Sequence, residues 1–439
     1  MSWATHKTIL ATSTALAATL IATSAFAGGF ALREQSSYYQ GMSFAGNGTT
    51  GPSISSVFWN PATITGAGDG ITFEAHNTLI APQAEIKGTN TVPNSLTTPT
   101  GFITDAFNTN DIGSDALIPS SYTAYKGSET FFLGLAITAP YGLSTKVDNQ
   151  DWTGAGYNQS SKVFTINVNP IVGFKINEKL SIGFGPQLQY SDIRLRNAVA
   201  SPSIPGATAL PGQTLYGNGF GIGATAGITF KPTEKTEIGL GYRSAMFTKI
   251  GGNLVAALSP AAPTVVSDVK VETTLVTPDS VTLSAKHSFT DDIRVLGTFE
   301  WTNWSRLKQP KIRSEATGAE ITSLPFNYND GYFLSLGGEY DFNEKLTVRA
   351  GAAYEWSPID TKIRSARLPD NDRIWVSGGA SYMFNEHMSF DLGYTHIFGT
   401  DTDLDIVPGH QDYSAAKGSL TGTVDSSVDI VSASFRVRF

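Results

Sequence analysis

The sequence predicts an all-β protein, a 14-stranded antiparallel transmembrane β-barrel with a plug inside its lumen. First, segments of about 10 to 14 residues alternate apolar residues with polar or small ones, and this length suits a tilted strand that crosses a bilayer. Second, the connections between these segments alternate between tight turns and long polar stretches. Third, the chain has 44 glycines, 11% aromatic residues and 15% charged residues, whereas soluble domains carry roughly 25% charged residues.

The first 27 residues predict a secretory signal peptide. Lys7 precedes an apolar stretch rich in alanine and threonine, and Ala25 to Ala27 form a small-residue cleavage site. We therefore expect the mature chain to begin at Gly28. The chain has no cysteine, so disulfides cannot stabilise the exported protein, and no later run of 18 apolar residues predicts a membrane-spanning helix.

The alternation has a period of two from residue 69 onward. In "VFTINVNPIVGFKI", Phe164, Ile166, Val168 and Val172 share one face, and Thr165 and Asn167 lie on the other. The predicted strands are residues 69–80, 118–127, 129–139, 161–176, 179–192, 218–231, 235–248, 279–289, 293–306, 330–342, 345–356, 373–384, 387–398 and 428–439.

The connections indicate which membrane the barrel crosses. Short turns such as "NEK" and "TDD" alternate with long connections, predicted at 81–117, 140–160, 193–217, 249–278, 307–329, 357–372 and 399–427. An even number of strands with short turns at one end and long loops at the other is typical of bacterial outer-membrane barrels. We therefore expect a location in the bacterial outer membrane, with the short turns and both termini on the periplasmic side.

The segment before the first strand, residues 28–68, predicts the plug. Phe44, Phe58 and Trp59 are too apolar for a segment exposed to the periplasm, and a 14-stranded barrel encloses more space than its own side chains can fill. We expect three parts: the signal peptide at 1–27, a plug or hatch at 28–68, and the barrel at 69–439. A charged lumen by itself would also suit a general porin.

Charge and motif content argue against several other functions. The formal net charge of −8 makes nucleic acid an unlikely partner. The glycines of "GNGFGIGATAG" continue the strand alternation, and the histidines have neither ligand nor triad spacing. We therefore expect no enzymatic activity, no cofactor and no metal site.

Several stretches, in this order along the chain, carry a resemblance to a known family. They are "GGFALREQSSYYQGMSFAGNGTTGPSISSVFWNPATI", "ITAPYGLST", "IGLGYRS", "WTNWSRLKQ", "AAYEWSPI" and "LPDNDRIWVSGGASYMFNEHMSFDLGYTHIFG". They resemble the FadL family of outer-membrane transporters of long-chain fatty acids and other hydrophobic compounds, and the resemblance spans the predicted mature chain. The Asn-Pro-Ala element alone is a weak signal, and the stretch from Pro369 to Trp375 strengthens it.

The resemblance implies passive uptake through a groove among the outer loops, then a deeper pocket beside the hatch, and lateral release at a kinked third strand. It suggests Leu254, Val255 and Leu258 for the loop groove, although packing between loops explains them equally well. Hatch gating would involve Asn60, Pro61 and Ala62, which could instead form only a rigid turn. We expect a monomer whose partners are a long-chain fatty acid or another hydrophobic small molecule, and outer-membrane lipid.

The chain departs from the family at the residues that would bind a carboxylate. Arg194 and Arg196 are the carboxylate-binding candidates, because a family arginine lies just past the fifth strand. The stretch that matches a family lysine, with Leu324 and Phe326, has no basic residue, and Ala139 replaces a serine. These three residues are the pocket candidates. Because the pocket is less cationic, neutral aromatic hydrocarbons are an alternative substrate. An alternative from a different functional class is a surface-displayed adhesin.

Overall fold

The computed structural model describes residues 28–94, 100–209, 212–259 and 264–439. The predicted signal peptide at 1–27 lies outside the described residues. The described chain forms one sheet with the strands β1 (Ile71–Pro93), β2 (Phe102–Asp111), β3 (Ala116–Lys126), β4 (Phe131–Thr138), β5 (Gly142–Lys146), β6 (Ser160–Lys175), β7 (Leu180–Asn197), β8 (Gln213–Thr233), β9 (Thr236–Arg243), β10 (Met246–Ala257), β11 (Val266–Thr277), β12 (Ser280–Ser288), β13 (Ile293–Thr302), β14 (Lys311–Ser314), β15 (Glu320–Ser323), β16 (Gly331–Asp341), β17 (Leu346–Trp356), β18 (Arg373–Asn385), β19 (Met388–Gly399), β20 (Thr402–Ile406) and β21 (Ser419–Arg438).

These strands form a closed antiparallel barrel, and the chain passes along the barrel wall 14 times. We call each passage a crossing. Several crossings consist of two consecutive strands each, among them β2 with β3, β4 with β5, β9 with β10, β11 with β12, and β19 with β20. The barrel closes where β1 pairs with β21 over a long register, from Thr72 opposite Arg438 to Thr91 opposite Ser419. The predicted fold class is confirmed, and each of the 14 predicted segments lies on one crossing.

The two faces of the wall differ as the alternation predicted. Outward positions carry exposed apolar side chains such as Leu188, Phe220 and Leu336. Inward positions carry buried polar side chains such as Glu74 and Asp391. Outward apolar groups match hydrocarbon, and closure leaves no unpaired sheet edge in the membrane.

Three connections predicted as long loops are largely strand. β1 continues to Pro93 and pairs with β2, β10 and β11 form a hairpin within the predicted loop 249–278, and β21 begins at Ser419 within the predicted loop 399–427. The sequence prediction missed these extensions because strands that project beyond the bilayer have no lipid-facing side. Their alternation of apolar and polar residues is therefore weak.

Residues 28–68 lie inside the barrel. They contain a one-turn helix, α1 (Ser37–Gln40), and two 3₁₀ helices, Ile54–Phe58 and Pro61–Gly66. Their aromatic side chains pack with each other and with the wall, since Phe44 has ring-centroid distances of 5.7 Å to Trp59 and 6.1 Å to Trp375. No helix in the described part of the chain is long and apolar enough to span a membrane.

A buried ion network fastens the hatch to the wall. Glu74, on β1, accepts hydrogen bonds from the Ile54 amide at 3.0 Å and from the Ser53 hydroxyl at 2.7 Å. Its carboxylate also lies 2.5 Å from Nε of Arg436, on the neighbouring strand β21. One wall carboxylate thus neutralises a wall arginine and satisfies two donors of the hatch.

Replacing Glu74 with alanine tests this attachment. The change leaves the Ile54 amide and much of the Arg436 charge buried without a partner, and breaking such a pair costs about 3 to 5 kcal/mol. We expect hatch amides near residues 53–58 to exchange hydrogen faster while the barrel strands stay protected. Hydrogen exchange with mass spectrometry measures both.

The matched control is Glu178→Ala. Glu178 is an exposed carboxylate that lies 2.9 Å from Lys175, and an exposed pair contributes little to stability. In the Glu178→Ala variant, the hatch amides should be protected from hydrogen exchange as well as they are in the wild type. Equal hatch protection in the Glu74 variant would contradict the proposed attachment.

Candidate functional site

A pocket opens among the outer strand extensions and the long loops. It encloses about 1100 Å³ of space between protein atoms, including its open mouth. Strands β6, β7, β8, β10 and β11 form one wall, and the segments 310–328 and 363–368 form the other. The apolar lining residues are Phe30, Leu143, Val163, Ile193, Leu195, Leu215, Ile250, Val271, Leu275, Pro310, Ile312, Leu324, Pro325, Phe326, Ile363 and Leu368. Such a surface can bury a long hydrocarbon chain.

Phe30 of the hatch contributes to the pocket and packs within an aromatic cluster. Its ring centroid lies 4.8 Å from that of Trp304, 5.9 Å from that of Tyr141 and 6.5 Å from that of Phe326. Phe30 and Phe326 line this pocket, whereas Trp304 and Tyr141 line a second cavity. The cluster therefore separates the two spaces.

Arg367 is the basic residue of the pocket lining. Its guanidinium donates hydrogen bonds to Oδ1 of Asn197 at 2.6 Å and to Oγ of Ser161 at 3.4 Å. Burial lowers the pKa of Arg367 to about 10, so the group is protonated at neutral pH. Among the described residues, no carboxylate lies within 4 Å of it. The pocket thus presents a buried cation that an anionic ligand could neutralise.

Other charges lie near Arg367 in the loop that contains Asp412 and Lys417. Burial raises the pKa of the Asp412 carboxyl, which also lines the pocket. Burial and the nearby Arg367 charge lower the pKa of Lys417 to about 8. Burial is the larger of the two causes, and burial disfavours the charged form of any side chain in this region.

The second cavity lies on the hatch side of the aromatic cluster and encloses about 670 Å³. It is more polar than the outer pocket. Arg33 of the hatch lies 2.7 Å from Glu300, and Arg243 donates a hydrogen bond to the Phe58 carbonyl at 2.9 Å. Pro140 and Tyr141 also line this cavity, so it reaches the wall between β4 and β5.

The strand pairing of the barrel wall is interrupted between β4 and β5. β4 ends at Thr138 and β5 begins at Gly142, and β3 pairs with β4 only as far as Ser121 opposite Ile137. Further out, the described chain has an isolated bridge between Gly113 and Thr145 on this side of β5. We call residues 139–141 the wall break.

The hatch supplies hydrogen-bond partners to the wall break. The Leu32 amide donates to the Pro140 carbonyl at 2.8 Å, and the Gly142 amide donates to the Phe30 carbonyl at 2.9 Å. The side chain of Gln35 accepts from the Ala139 amide at 3.1 Å and donates to the Ala139 carbonyl at 2.8 Å. Ala139, predicted as a pocket residue, therefore lies at the wall break.

The structure brings some of the other candidates to the pocket. Leu324 and Phe326 line it, and Leu254 packs with Val271, Ile312 and Leu324 beside it. A correction concerns Leu254 and Val255, which were predicted in a loop and lie on β10. Adjacent residues of a strand face opposite sides, so Val255 points away from the Leu254 cluster. Leu258 is exposed just beyond the strand.

Arg194 and Arg196 do not line the pocket. On β7 the pocket-lining residues are Ile193 and Leu195, so strand alternation places both arginines on the outward face. This corrects their expected position as carboxylate ligands within the pocket. A shift of one residue along a strand exchanges its two faces, so the position of the family arginine does not by itself decide which side chain of β7 faces the pocket.

Asn60, Pro61 and Ala62 lie at the start of the second 3₁₀ helix. The Asn60 side chain accepts a hydrogen bond from the Ala62 amide at 3.1 Å and donates to the Gly48 carbonyl at 2.8 Å and to the Ile228 carbonyl at 3.0 Å. It thus joins two hatch segments to the wall. A Cβ at Gly227 would lie 1.9 Å from Oδ1 of Asn60, so this close approach requires glycine.

Sequence reasoning missed Arg367. The residue lies two positions before the stretch Pro369–Trp375 that carries part of the resemblance. A single arginine in a long loop normally extends into solvent, and only the folding of this loop over the barrel mouth buries it.

Comparisons with known proteins give a matching family model, similar sequences and similar structures. A family model described as outer membrane protein transport protein (OMPP1/FadL/TodX) matches residues 18–439. The long-chain fatty acid transport protein of Salmonella typhi is 28% identical over 442 residues, covering 95% of this chain and 98% of the relative. The structure of a Pseudomonas aeruginosa FadL homologue has a TM-score of 0.80 at 23% identity, covering 94% of this chain and 100% of the other. The structure of the CymD monoaromatic hydrocarbon channel has a TM-score of 0.66 at 19% identity, covering 94% of this chain and 99% of the channel.

Proposed function

Because this chain belongs to the outer membrane protein transport family (OMPP1/FadL/TodX), we propose that it takes up long-chain fatty acids and related hydrophobic molecules passively. The family and the barrel fold place it in the bacterial outer membrane. One chain closes the barrel, which favours a monomer. We propose a transport role without catalysis.

The observation that carries this proposal is the buried cation in an apolar pocket. Each methylene group that leaves water contributes about 0.8 kcal/mol, so the apolar lining favours a long acyl chain. A desolvated carboxylate needs charged hydrogen-bond donors, and Arg367 supplies them within the same pocket. An amphipathic anion can therefore bury its acyl chain against the apolar lining and pair its carboxylate with Arg367.

Neutral aromatic hydrocarbons are the second candidate. The apolar and aromatic lining around Phe30 and Phe326 favours them, and the chain has the fold of the CymD monoaromatic hydrocarbon channel. Such a substrate would leave the Arg367 charge uncompensated. This difference allows the two substrate classes to be separated by substitution of Arg367.

The proposed route leads from the outer pocket, past the aromatic cluster, into the second cavity and out through the wall break. Both cavities are lined by hatch residues, and the second reaches Pro140 and Tyr141 at the break. Lateral release would deliver a hydrophobic molecule to the bilayer instead of the aqueous periplasm. Gating through Asn60, Pro61 and Ala62 remains a hypothesis, because their hydrogen bonds also suit a fixed turn.

Replacing Arg367 with glutamine tests the fatty acid proposal. A hydrogen bond to a charged group contributes about 1.5 to 3 kcal/mol, so we expect oleate to bind roughly 10- to 100-fold more weakly. Binding of toluene should change little. Fluorescence displacement or calorimetry on the detergent-purified protein measures both affinities.

The control is Arg194→Gln, which removes an outward arginine from β7. Its oleate affinity should match that of the wild type, because Arg194 does not line the pocket. If the Arg367 variant keeps full oleate affinity, Arg367 does not recognise the carboxylate. Toluene uptake without oleate uptake by the wild type would favour the hydrocarbon candidate.

An engineered disulfide tests the lateral route. Ala31 of the hatch and Tyr141 of the wall break are paired in an antiparallel bridge, a geometry close enough for a disulfide. The natural chain has no cysteine to interfere. We expect the oxidised Ala31→Cys/Tyr141→Cys variant to lose uptake of labelled oleate in cells and to recover it on reduction.

The single variant Tyr141→Cys controls for the loss of the aromatic side chain and should not respond to oxidant. Undiminished uptake by the fully oxidised double variant would show that the hatch need not leave the wall break. The proposed lateral route would then be wrong.

A further inference from the structure

A patch of basic side chains lies on the outside of the barrel, away from the pocket. It consists of Lys146 on β5, Lys162 on β6, and Arg194 and Arg196 on β7, and we call it the basic patch. In the sheet register, Lys162 lies opposite Arg194, and Ser160 lies opposite both Lys146 and Arg196. Three adjacent strands therefore bring four cations from distant parts of the sequence into two neighbouring rows.

All four side chains are on the outward face. Their strand neighbours Thr145, Ser161, Val163 and Leu195 are buried on the inward side, and Arg194 and Lys146 are exposed. Neighbouring strands are about 4.8 Å apart, so the patch is roughly 10 Å wide. That width suits a compact polyanionic group.

The basic patch lies directly above the lipid-facing band. Along β6 the outward residues from Phe174 to Phe164 are apolar, which is about the ten residues that a tilted strand needs to cross hydrocarbon. The next outward residue is Lys162. On β7 and β8, the rings of Tyr190 and Phe220 lie 5.3 Å apart below the patch and contribute to an interfacial aromatic belt.

Charges within the protein do not neutralise the basic patch. Among the described residues, none of the four has a carboxylate within 4 Å or a side-chain hydrogen bond. Lys249, on the same side of the barrel, is by contrast 2.9 Å from Glu272. Asp192 precedes Arg194 on the same face and is the acidic neighbour in the adjoining row. The patch therefore retains an excess of positive charge, although the whole chain is acidic.

We propose that the basic patch binds the phosphorylated headgroup of the glycolipid in the outer leaflet, lipopolysaccharide. Its phosphates lie at the boundary between acyl chains and saccharide, where the patch is placed. Lysine and arginine neutralise phosphate, and arginine can donate two hydrogen bonds to it. The apolar band below the patch contacts the acyl chains of the same lipid. This site is separate from the transport pocket.

Native mass spectrometry of the detergent-purified protein with bisphosphorylated lipid A tests the site. A basic residue near anionic headgroups contributes enough for roughly a fivefold change in affinity. We expect Lys162→Gln/Arg194→Gln to bind lipid A on the order of 25-fold more weakly than the wild type. Dephosphorylated lipid A should bind the wild type weakly and the variant to the same extent.

The matched control, Lys179→Gln/Lys235→Gln, removes the same charge from exposed turns at the opposite end of the barrel. It should bind bisphosphorylated lipid A like the wild type. Heat-dependent migration in gels checks that each variant is a folded barrel. Equal lipid A affinity in the patch variant and the wild type would overturn the proposal, as would an equal loss in the control variant. The same conclusion would follow if phosphate removal had no effect on binding to the wild type.

Discussion

Backbone hydrogen bonding in hydrocarbon is the constraint on which the structure depends. A bilayer core offers no partner to an unpaired amide or carbonyl, so a sheet can cross it only as a closed barrel. The long pairing of β1 with β21 provides that closure. A barrel of this size leaves a lumen, and residues 28–68 fill it through buried aromatic side chains and a network around Glu74.

The same constraint connects the hatch with the wall break. Between β4 and β5 the wall lacks continuous strand pairing, and backbone groups there would be unsatisfied if they faced lipid. The hatch satisfies them through Phe30, Leu32 and Gln35. The contacts that seal the break thus belong to the segment that lines both cavities. In the proposed route, movement of this one segment would join the two cavities and open the wall break.

The sequence predicted the features that the membrane imposes on every strand. Alternation located all 14 crossings, and the apolar residues Phe58 and Trp59 indicated a segment buried in the lumen. It could not predict β10 and β11, because strands outside the bilayer are not selected for a lipid-facing side. It also indicated Arg194 and Arg196 as carboxylate-binding candidates, although Ile193 and Leu195 are the residues of β7 that face the pocket, because the face of a strand residue depends on a register of one position.

The apolar pocket was harder to predict than the fold. Leu324 and Phe326 lie in its lining. Arg367 becomes a buried cation only because its loop folds over β6 and β7, which are more than 160 residues earlier in the chain. Contacts of this kind depend on tertiary packing and leave no periodic signal. The basic patch also could not be predicted from the sequence. Its residues are far apart along the chain, and only the register of three paired strands shows that they are neighbours.

The central claim is that the hatch seals the lumen, so that substrate leaves through the wall. Ionic conductance of the mature protein in a planar lipid bilayer tests it most directly. A sealed lumen predicts no steady conductance at neutral pH, whereas removal of residues 28–68 should produce large, stable steps. A steady, porin-like conductance in the intact protein would contradict the account, because water and ions would then pass along the barrel axis.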